Sequence, residues 1–407
     1  MSEHASVRPN DGSDGRAGVV VAMWLLTTIG YAYIIVPTSV LPVIQESLLI
    51  GPLAASVILS ITLAAQSISN VPVGALLDRM DNLHVLGWAT VGLVIAGLWG
   101  WYAAASGDYW SLLGSRGLGG VVTVVMWTVG VNVTTGLYQF DRRATAIGFF
   151  TTSAPAGFAL GQFTGPVVAN SFGWESTFAF YSIVAGATFG FVVIASARCS
   201  SPTTPETPVP TLDEVRAVLG NDSVWLIAIL AGISFSAFFV LTNWMPSYLV
   251  DEYGLSLIHS GFFVALFPAV GIASRWGGGF ISDAWFAGRR RPVVFWSFLI
   301  STPTFVVLAV VREPFTTVLT LCLAGISIQL GIGVFFAYAR EVADASVSAT
   351  AVSITSAVAV AGATVGPVIT GALFELSGTY ASVFVYVILL SAAGVALSYK
   401  APEPSVA

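Results

Sequence analysis

LIHSGFFVALFPAVGIASRWGGGFI, residues 257–281, is a segment of apolar and small residues with a single arginine, Arg275, in its interior. It is longer than the roughly 20 residues that a helix needs to cross the hydrocarbon core of a bilayer. An unpaired arginine near the centre of such a helix costs roughly 2.5 to 3.5 kcal/mol on insertion scales. The segment therefore predicts a transmembrane helix whose cation requires an aqueous cavity, a partner inside the protein or an anionic substrate.

Segments of this kind recur along almost the whole chain of 407 residues, of which 56% are hydrophobic and 9% charged. Soluble domains carry about 25% charged residues, so the composition indicates an integral membrane protein. Backbone groups that face lipid must be satisfied within a helix or a closed barrel, and barrel strands need only about ten alternating residues. The long runs therefore predict an all-α fold with twelve transmembrane helices, at residues 19–43, 54–77, 85–105, 110–137, 145–168, 176–197, 224–249, 257–281, 293–311, 315–339, 350–374 and 380–399.

The basic residues predict the orientation of these helices, because cytoplasmic loops are enriched in arginine and lysine. With the N-terminus in the cytoplasm, only Arg312 lies outside, and Arg116 and Arg275 lie within spans. We therefore expect a multi-pass protein of the cell membrane with both termini in the cytoplasm. The other twelve of the 15 basic residues then lie inside: Arg8, Arg16, Arg79, Arg142, Arg143, Arg198, Arg216, Arg289, Arg290, Arg291, Arg340 and Lys400.

A proline-rich, polar break divides the spans into two groups of six. Proline and polar residues in such a stretch are typical of a linker. The expected organisation is a disordered cytoplasmic tail at residues 1–18, a six-helix bundle at 19–198, a cytoplasmic linker at 199–222, a second six-helix bundle at 223–400 and a short cytoplasmic tail at 401–407.

An internal repeat relates the two groups. Residues 74–78 (GALLD), at the end of the second span, match residues 279–283 (GFISD), at the end of the eighth, 205 positions later. Residues 144–146 (ATA) match residues 349–351 (ATA) at the same offset. Duplicated six-helix halves are the architecture of one large class of transporters.

The chain resembles the major facilitator superfamily from about residue 19 to residue 400. Residues 74–82, GALLDRMDN, are similar to the family's loop signature of glycine, Asp-Arg and basic residues, but Asp81 and Asn82 stand where the family usually has Gly and Arg. Arg116, followed by Gly120, is similar to the family's motif in span four. The resemblance implies a transporter with two pseudo-symmetric halves that exposes a central site alternately to either side of the membrane.

Charged loop residues at the cytoplasmic ends of spans two and eight are predicted to act in gating. Gly74, Asp78 and Arg79 in the first half, and Gly279 and Asp283 in the second, end helices where a carboxylate can pair with a neighbouring helix N-terminus or base. Such a latch would hold one conformation shut. The alternative is that these are solvated loop charges placed by the positive-inside rule.

Two further elements are candidates for gating. The glycines of span five, which resemble a family motif, lie four residues apart and allow helix backbones to approach closely, either for sliding or for static packing. Arg116 lies near the outer end of span four, where it either snorkels to water or acts in an outer gate. The span-five residues concerned are Gly157, Gly161, Gly165 and Pro166.

The predicted substrate site centres on Arg275, eight residues before Asp283 and so roughly 12 Å from the cytoplasmic end at about 1.5 Å per residue. The repeat offset puts Asn70 at the same depth in the first half, near the midplane, where repeat-built transporters bind substrate. A guanidinium suits bidentate binding of a carboxylate or flat oxyanion, and the alternative is an arginine tied to backbone carbonyls. Other candidates, each with packing or helix bridging as its alternative, are Tyr31, Tyr33, Gln66, Trp127, Asn243 and Gln329.

An arginine in span eight followed by glycines and an aspartate resembles the anion-handling branches of the family: oxalate/formate exchangers, monocarboxylate transporters and nitrate/nitrite porters. Nitrate porters also carry an arginine in span two, where this chain has Asn70, and oxalate exchangers carry a lysine in span eleven, whereas the only lysine here is Lys400. One cationic anchor fits a monoanion, so we expect alternating-access transport of a small anion, foremost a monocarboxylate. The alternatives are efflux of an apolar drug-like compound and a nitrate/nitrite-type porter.

Acidic residues are absent from the middle of every predicted span, so no buried carboxylate is available as a proton relay. This favours anion exchange, uniport or indirect proton symport, and it argues against a membrane enzyme. Cys199 and Cys322 lie far apart without metal-type partners, so we expect no metal site and no cofactor. The expected partners are the anionic solute and the lipid bilayer, without nucleic acid, and we expect the monomer to be functional.

Overall fold

The computed structural model describes residues 13–77, 79–138, 140–197, 216, 218–343 and 347–403. Nearly all of them are helical, which confirms the predicted all-α fold. The helices are α1 (Ser13–Ser39), α2 (Leu41–Leu48), α3 (Pro52–Leu77), α4 (Asn82–Ala105), α5 (Tyr109–Leu137), α6 (Phe140–Thr151), α7 (Ser153–Phe172), α8 (Ser176–Ser196), α9 (Asp222–Tyr253), α10 (Leu257–Trp285), α11 (Arg291–Val310), α12 (Pro314–Ile332), α13 (Phe335–Val342), α14 (Ser348–Ser377) and α15 (Ala381–Lys400).

Eleven helical segments in the described part of the chain are long and apolar enough to cross a membrane. They match eleven of the twelve predicted spans in order. The remaining span, predicted at residues 145–168, is divided between α6 and α7 at Thr152. Glycine, proline, serine and threonine interrupt the apolar residues of α7, and they lower its hydropathy relative to a run of leucine and valine.

Side chains just before several spanning helices fix where those helices begin. Asp81 accepts a hydrogen bond from the backbone N–H of His84 at the start of α4, and this bond holds the pKa of the Asp81 carboxyl below its ordinary value. Glu313 caps α12 in the same way, and hydrogen bonds from Thr316 lower the pKa of its carboxyl. Capping satisfies backbone N–H groups that have no partner within the helix.

The helices form two groups, α1–α8 and α9–α15, joined along two seams. In the first group α1 packs along α7 and α8, and in the second α9 packs along α14. The seams are the contact of α3 with α14 and that of α7 with α10. We call the end of the bundle that carries Arg79, Arg143 and Arg290 the linker end, and the end that carries Gly51 and Gly254 the far end.

The N-terminal boundary differs from the prediction, because α1 begins at Ser13 and residues 13–18 are helical rather than part of a tail. Residues 1–12, 139, 198–215, 217, 344–346 and 404–407 lie outside the described residues, as does Asp78 of the predicted latch. The linker predicted at 199–222 therefore falls largely outside them, together with Cys199.

Candidate functional site

Arg275 is a half-buried residue of α10, on the side that faces α9 and α12. Its Nε donates a hydrogen bond to Oε1 of Gln329 on α12, with 3.1 Å between the two atoms. Its Cζ lies 5.9 Å from the ring centroid of Phe238 on α9. Among the described residues, Nη1 and Nη2 have no hydrogen-bond partner and Arg275 has no carboxylate partner. Four of its five N–H donors are therefore available to a ligand.

Gln329 holds this arginine from a fully buried position. Its Nε2 donates to the backbone carbonyl oxygen of Phe267 at 3.0 Å, so both ends of the amide are occupied. The amide fits because residue 271 is glycine, since a Cβ there would overlap it. Gly333 likewise allows α12 to approach the backbone of Arg275. Close packing of α10 on α12 thus sets the position of the guanidinium.

Tyr31 of α1 reaches the same place from the other half. Its phenol interacts electrostatically with Arg275, and its hydroxyl has no hydrogen-bond partner in the described part of the chain. The Tyr31 ring packs edge-on against Trp127 and Phe158, with ring centroids 5.7 and 5.2 Å away. Phe158 in turn lies 5.8 Å from Phe238. Aromatic contacts thus run from Tyr31 in one half to Phe238 in the other, whose ring lies beside the guanidinium, and such rings attract a cation through their π faces.

The structure brings together four of the predicted substrate residues: Arg275, Tyr31, Trp127 and Gln329. It shows no contact between Arg275 and either Asn70, which is exposed, or Gln66, which is half-buried. Tyr33 and Asn243 are fully buried in other contacts. Sequence reasoning missed three residues of this site, Phe158, Phe238 and Gly271, because nothing in the sequence distinguishes them from the other phenylalanines and glycines of the spans.

Arg116 is fully buried and therefore does not snorkel to water. Its Nη1 and Nη2 donate to the carbonyl oxygens of Tyr33 and Ile34 on α1, at 3.1 and 2.7 Å. The Tyr33 carbonyl is free because Pro37, four residues on, has no N–H to donate. The guanidinium also lies 4.6 Å from the Tyr33 ring centroid. A role for Arg116 in an outer gate stays a prediction.

Polar contacts between the halves lie from the middle of the bundle to the far end. Gln162 of α7 donates from Nε2 to the carbonyl oxygen of Thr242 on α9 at 3.0 Å. That carbonyl is the one that Pro246 leaves without a helical donor. Oε2 of Glu375 on α14 accepts a hydrogen bond from the backbone N–H of Leu53 at the start of α3, at 3.1 Å. These contacts join the halves from the middle of the bundle to the far end.

Asn243 makes a further contact between the halves. The predicted gating glycines, in contrast, pack helices together within one half. Nδ2 of Asn243 lies 3.5 Å from Oγ of Ser56 on α3. Gly161 and Gly165 pack against α1, and a Cβ at residue 161 would lie 2.8 Å from the Ala32 carbonyl oxygen. Pro166 instead faces α10 across the seam between the halves.

At the linker end, the second copy of the predicted latch forms an ion-pair network. Nη1 of Arg290 lies 2.7 Å from Oδ1 of Asp283, and its Nη2 lies 2.8 Å from Oε1 of Glu341 on α13. The hydrogen bonds with Glu341, followed by the two carboxylate charges, raise the pKa of Arg290. In the first copy, Arg79 is exposed, and a side chain at Gly74 or at its counterpart Gly279 would meet open space.

The chain is similar to known transporters over most of its length. The family model described as the Major Facilitator Superfamily matches residues 23–287. Two similar proteins are the Probable nitrate/nitrite transporter NarK2 of Mycobacterium tuberculosis, 28% identical over 88% of this chain and 89% of that protein, and the Nitrite extrusion protein of Bacillus subtilis, 24% identical over 80% and 79%. A solved structure of a bacterial homologue of the human lysosomal transporter Spinster, inward-facing and occupied, shares the fold with a TM-score of 0.79 at 16% identity, over 95% of this chain and 96% of that one.

Proposed function

This chain belongs to the Major Facilitator Superfamily, and we propose on that premise that it carries a small planar monoanion across the cell membrane by alternating access. The observation that supports this proposal is that the charge and most of the N–H donors of Arg275 have no partner among the described residues. Its guanidinium lies among aromatic rings between the two halves, without a carboxylate partner among the described residues and with four N–H donors unused. A half-buried cation without an ion-pair partner is stabilised by a bound anion.

Nitrate and nitrite are the first candidates for the substrate. Both are flat and can accept two parallel hydrogen bonds from a guanidinium. Proteins similar to this chain over most of its length are named as a nitrate/nitrite transporter and a nitrite extrusion protein. No second cation contacts Arg275 among the described residues, so the site supplies one positive charge for one negative charge.

A short monocarboxylate is the second candidate. Its carboxylate presents the same pair of oxygens to Arg275, and the rings of Trp127, Phe158 and Phe238 offer an apolar surface to its hydrocarbon part. An apolar drug-like compound is disfavoured, because it would leave the Arg275 charge desolvated and without a partner.

Alternating access would then be an exchange of the far-end contacts for contacts at the linker end. The contacts of Gln162 with Thr242 and of Glu375 with Leu53 must break before the site can open at the far end. With the orientation predicted from the basic residues, the state with these contacts is closed toward the outer face, and both termini are cytoplasmic. We also propose that six-helix halves at 19–198 and 223–400 move as the two bodies and that the monomer is the functional unit.

The coupling mode that this site supports is anion exchange or uniport. No acidic side chain contacts Arg275, Tyr31 or Gln329 among the described residues, so a proton has no carboxylate at the site to bind. The charge of Arg275 can instead be balanced in each half of the cycle by one anion. If the uncompensated charge of Arg275 must be moved through the apolar interior, the empty transporter changes conformation more slowly than the anion-bound transporter. That difference in rate favours exchange of anions over uniport.

The experiment that tests this function is uptake into proteoliposomes loaded with unlabelled anion. Nitrate, nitrite, formate and a neutral solute are compared for the wild type, Arg275→Ala, Arg275→Lys and the control Arg340→Ala, whose side chain is exposed on α13. We expect anion uptake by the wild type and the control, loss of it in Arg275→Ala, and partial retention in Arg275→Lys, which keeps the charge but not the planar fork. Undiminished anion uptake by Arg275→Ala would overturn the proposal.

A further inference from the structure

We propose that Gln329 is a positioning residue that occupies the Nε edge of Arg275 and leaves the Nη1–Nη2 edge as the only place where a planar anion can bind with two hydrogen bonds. The proposal rests on the function proposed above and deepens it, because it names the geometry by which the anion is recognised. The hydrogen bond from Nε of Arg275 to Oε1 of Gln329, at 3.1 Å, is the contact that carries it.

A guanidinium offers two kinds of paired donors in its plane. One pair consists of Nε–H with the neighbouring Nη–H, and the other consists of one N–H from each terminal nitrogen. An N–H that already donates to an amide oxygen has no second proton for another acceptor, so Gln329 removes the first pair. Both terminal nitrogens are without partners among the described residues, so the second pair is intact.

The orientation of the Gln329 amide follows from its second hydrogen bond. Its Nε2 donates to the carbonyl oxygen of Phe267 at 3.0 Å, and a carbonyl can only accept. A flipped amide would bring NH₂ against the N–H donor of Arg275 and a carbonyl oxygen against the carbonyl of Phe267. The oxygen of Gln329 therefore faces Arg275, and in the described part of the chain the fully buried side chain has no other hydrogen-bond partner.

Gly271 makes this arrangement possible. A Cβ at residue 271 would overlap the Oε1, Cδ and Nε2 atoms of Gln329, which form the movable end of a flexible side chain. Alanine at this position would therefore displace the amide while α10 and α12 stay in place. Gly277, on the same helix, offers a matched control, because its Cβ would approach the Leu330 side chain only to an ordinary 3.9 Å.

A neutral acceptor at position 329 has a further consequence for the charge of the site. It orients Arg275 without neutralising it, so the full positive charge remains for the anion. A glutamate of nearly the same size would also accept from Nε, but its negative charge would compete directly with the transported anion. The structure thus predicts that glutamate is the more harmful substitution, both through this charge and because its second oxygen would face the carbonyl oxygen of Phe267.

The test compares Gln329→Met, Gln329→Glu, Gly271→Ala and Gly277→Ala. Nitrate affinity is measured by calorimetry on purified protein, and KM and kcat for nitrate and formate are measured in proteoliposomes. We expect Gln329→Met to weaken nitrate binding about tenfold, as loss of one hydrogen bond to a charged group does. We expect kcat to change little.

The other variants separate positioning from a merely structural role. Gly271→Ala should reproduce the effect of Gln329→Met, and Gly277→Ala should match the wild type. Gln329→Glu should bind nitrate more weakly than Gln329→Met, while thermal unfolding of the two variants measures any structural damage separately. A wild-type KM for nitrate in Gln329→Met and Gly271→Ala would overturn the proposal, as would nitrate binding by Gln329→Glu equal to the wild type. Failure of the proposed function would appear separately, as unchanged anion transport by Arg275→Ala.

Discussion

Arg116 donates from Nη1 to the carbonyl oxygen of Tyr33, at 3.1 Å, and so satisfies the backbone acceptor that the proline at position 37 leaves without a helical donor. A fully buried arginine on α5 thus repairs the hydrogen bonding of α1 at its proline. A proline in the second half is compensated in a similar way, but by a neutral side chain. Gln162 donates to the carbonyl oxygen of Thr242, which Pro246 leaves without a helical donor.

This relationship predicts a coupling between Arg116 and Pro37. Arg116→Met should lower the midpoint of thermal unfolding in detergent, because it leaves a buried carbonyl without a donor, at a cost of about 1 to 3 kcal/mol. Pro37→Ala restores the N–H that bonds this carbonyl, so the double variant should lose less stability than the sum of the single variants. Additive losses in the thermal scans would show that Arg116 serves another purpose.

The far-end contact of Glu375 with α3 predicts a shift in the conformational equilibrium. Glu375→Gln replaces a carboxylate at the N-terminus of a helix in the other half with a neutral amide, so it should favour opening at the far end about twofold, given solvent screening of an exposed group. Leu59 is buried between the halves, so the rate at which maleimide labels Leu59→Cys measures this opening. The native cysteines, Cys199 and Cys322, are replaced by alanine for this experiment.

The matched control for this shift is Glu313→Gln. Glu313 also caps a helix at the far end, but the helix is its own, α12, so the contact does not join the halves. Labelling of Leu59→Cys in this variant should equal that of the parent. An equal rate in Glu375→Gln would instead show that the cap does not help to hold the far end shut.

The cap by Glu313 predicts an acid-sensitive contribution to stability. Its pKa is lowered in the folded protein from the ordinary value of 4.5, mainly by hydrogen bonds from Thr316, so the folded state favours the ionised form. The contribution is present above the unfolded pKa and is lost as the pH falls through the lower, folded pKa. Thermal scans should therefore separate the wild type from Glu313→Gln at neutral pH and bring them together in acid.

The glycine contact between α1 and α7 predicts a packing defect in Gly161→Ala. The new Cβ would lie 2.5 Å from Cγ2 of Ile35 and 2.8 Å from the backbone oxygen of Ala32, and overpacking of this kind costs about 1 to 3 kcal/mol. Gly148→Ala, on α6, meets nothing within 4 Å and should leave the unfolding midpoint unchanged. Equal midpoints for the two variants would contradict the tight packing of α1 on α7.

The ion-pair network at the linker end predicts a small, salt-sensitive effect. Arg290→Gln removes the pairs with Asp283 and Glu341, but because 64% of the Asp283 side chain is exposed, the loss should be about 1 kcal/mol or less. It should shrink further in high salt, where exposed pairs are screened. Arg289→Gln is the control, since Arg289 has no ion pair in the described part of the chain.

Most of the helices were predictable because hydropathy and helix length are local properties. A run of apolar residues such as 257–281 must satisfy its backbone in a helix wherever it lies in the bundle. The fifth span was the exception, since the break at Thr152 depends on how α6 and α7 pack. The start of α1 at Ser13 was missed because polar residues beside a long helix can extend it without changing the apolar pattern.

The candidate site was predictable only in its polar members. Arg275, Tyr31, Trp127 and Gln329 each carry a polar group within an apolar span, and residue type alone distinguishes them from their neighbours in the chain. Tyr33 and Asn243 carry the same signal, yet they are fully buried in other contacts, because the direction in which a side chain faces depends on helix rotation.

The sequence by itself determined that this chain spans a membrane in repeated halves and that one of its cations, Arg275, requires compensation there. Both conclusions follow from the cost of polar groups in lipid, which depends on residue type and span length alone. Only the tertiary structure decided that Gln329 takes one edge of that cation and that Phe238, which packs on Phe158, lies beside it. Those contacts join residues far apart in the chain, and they exist because the packing of four helices brings their side chains to one point.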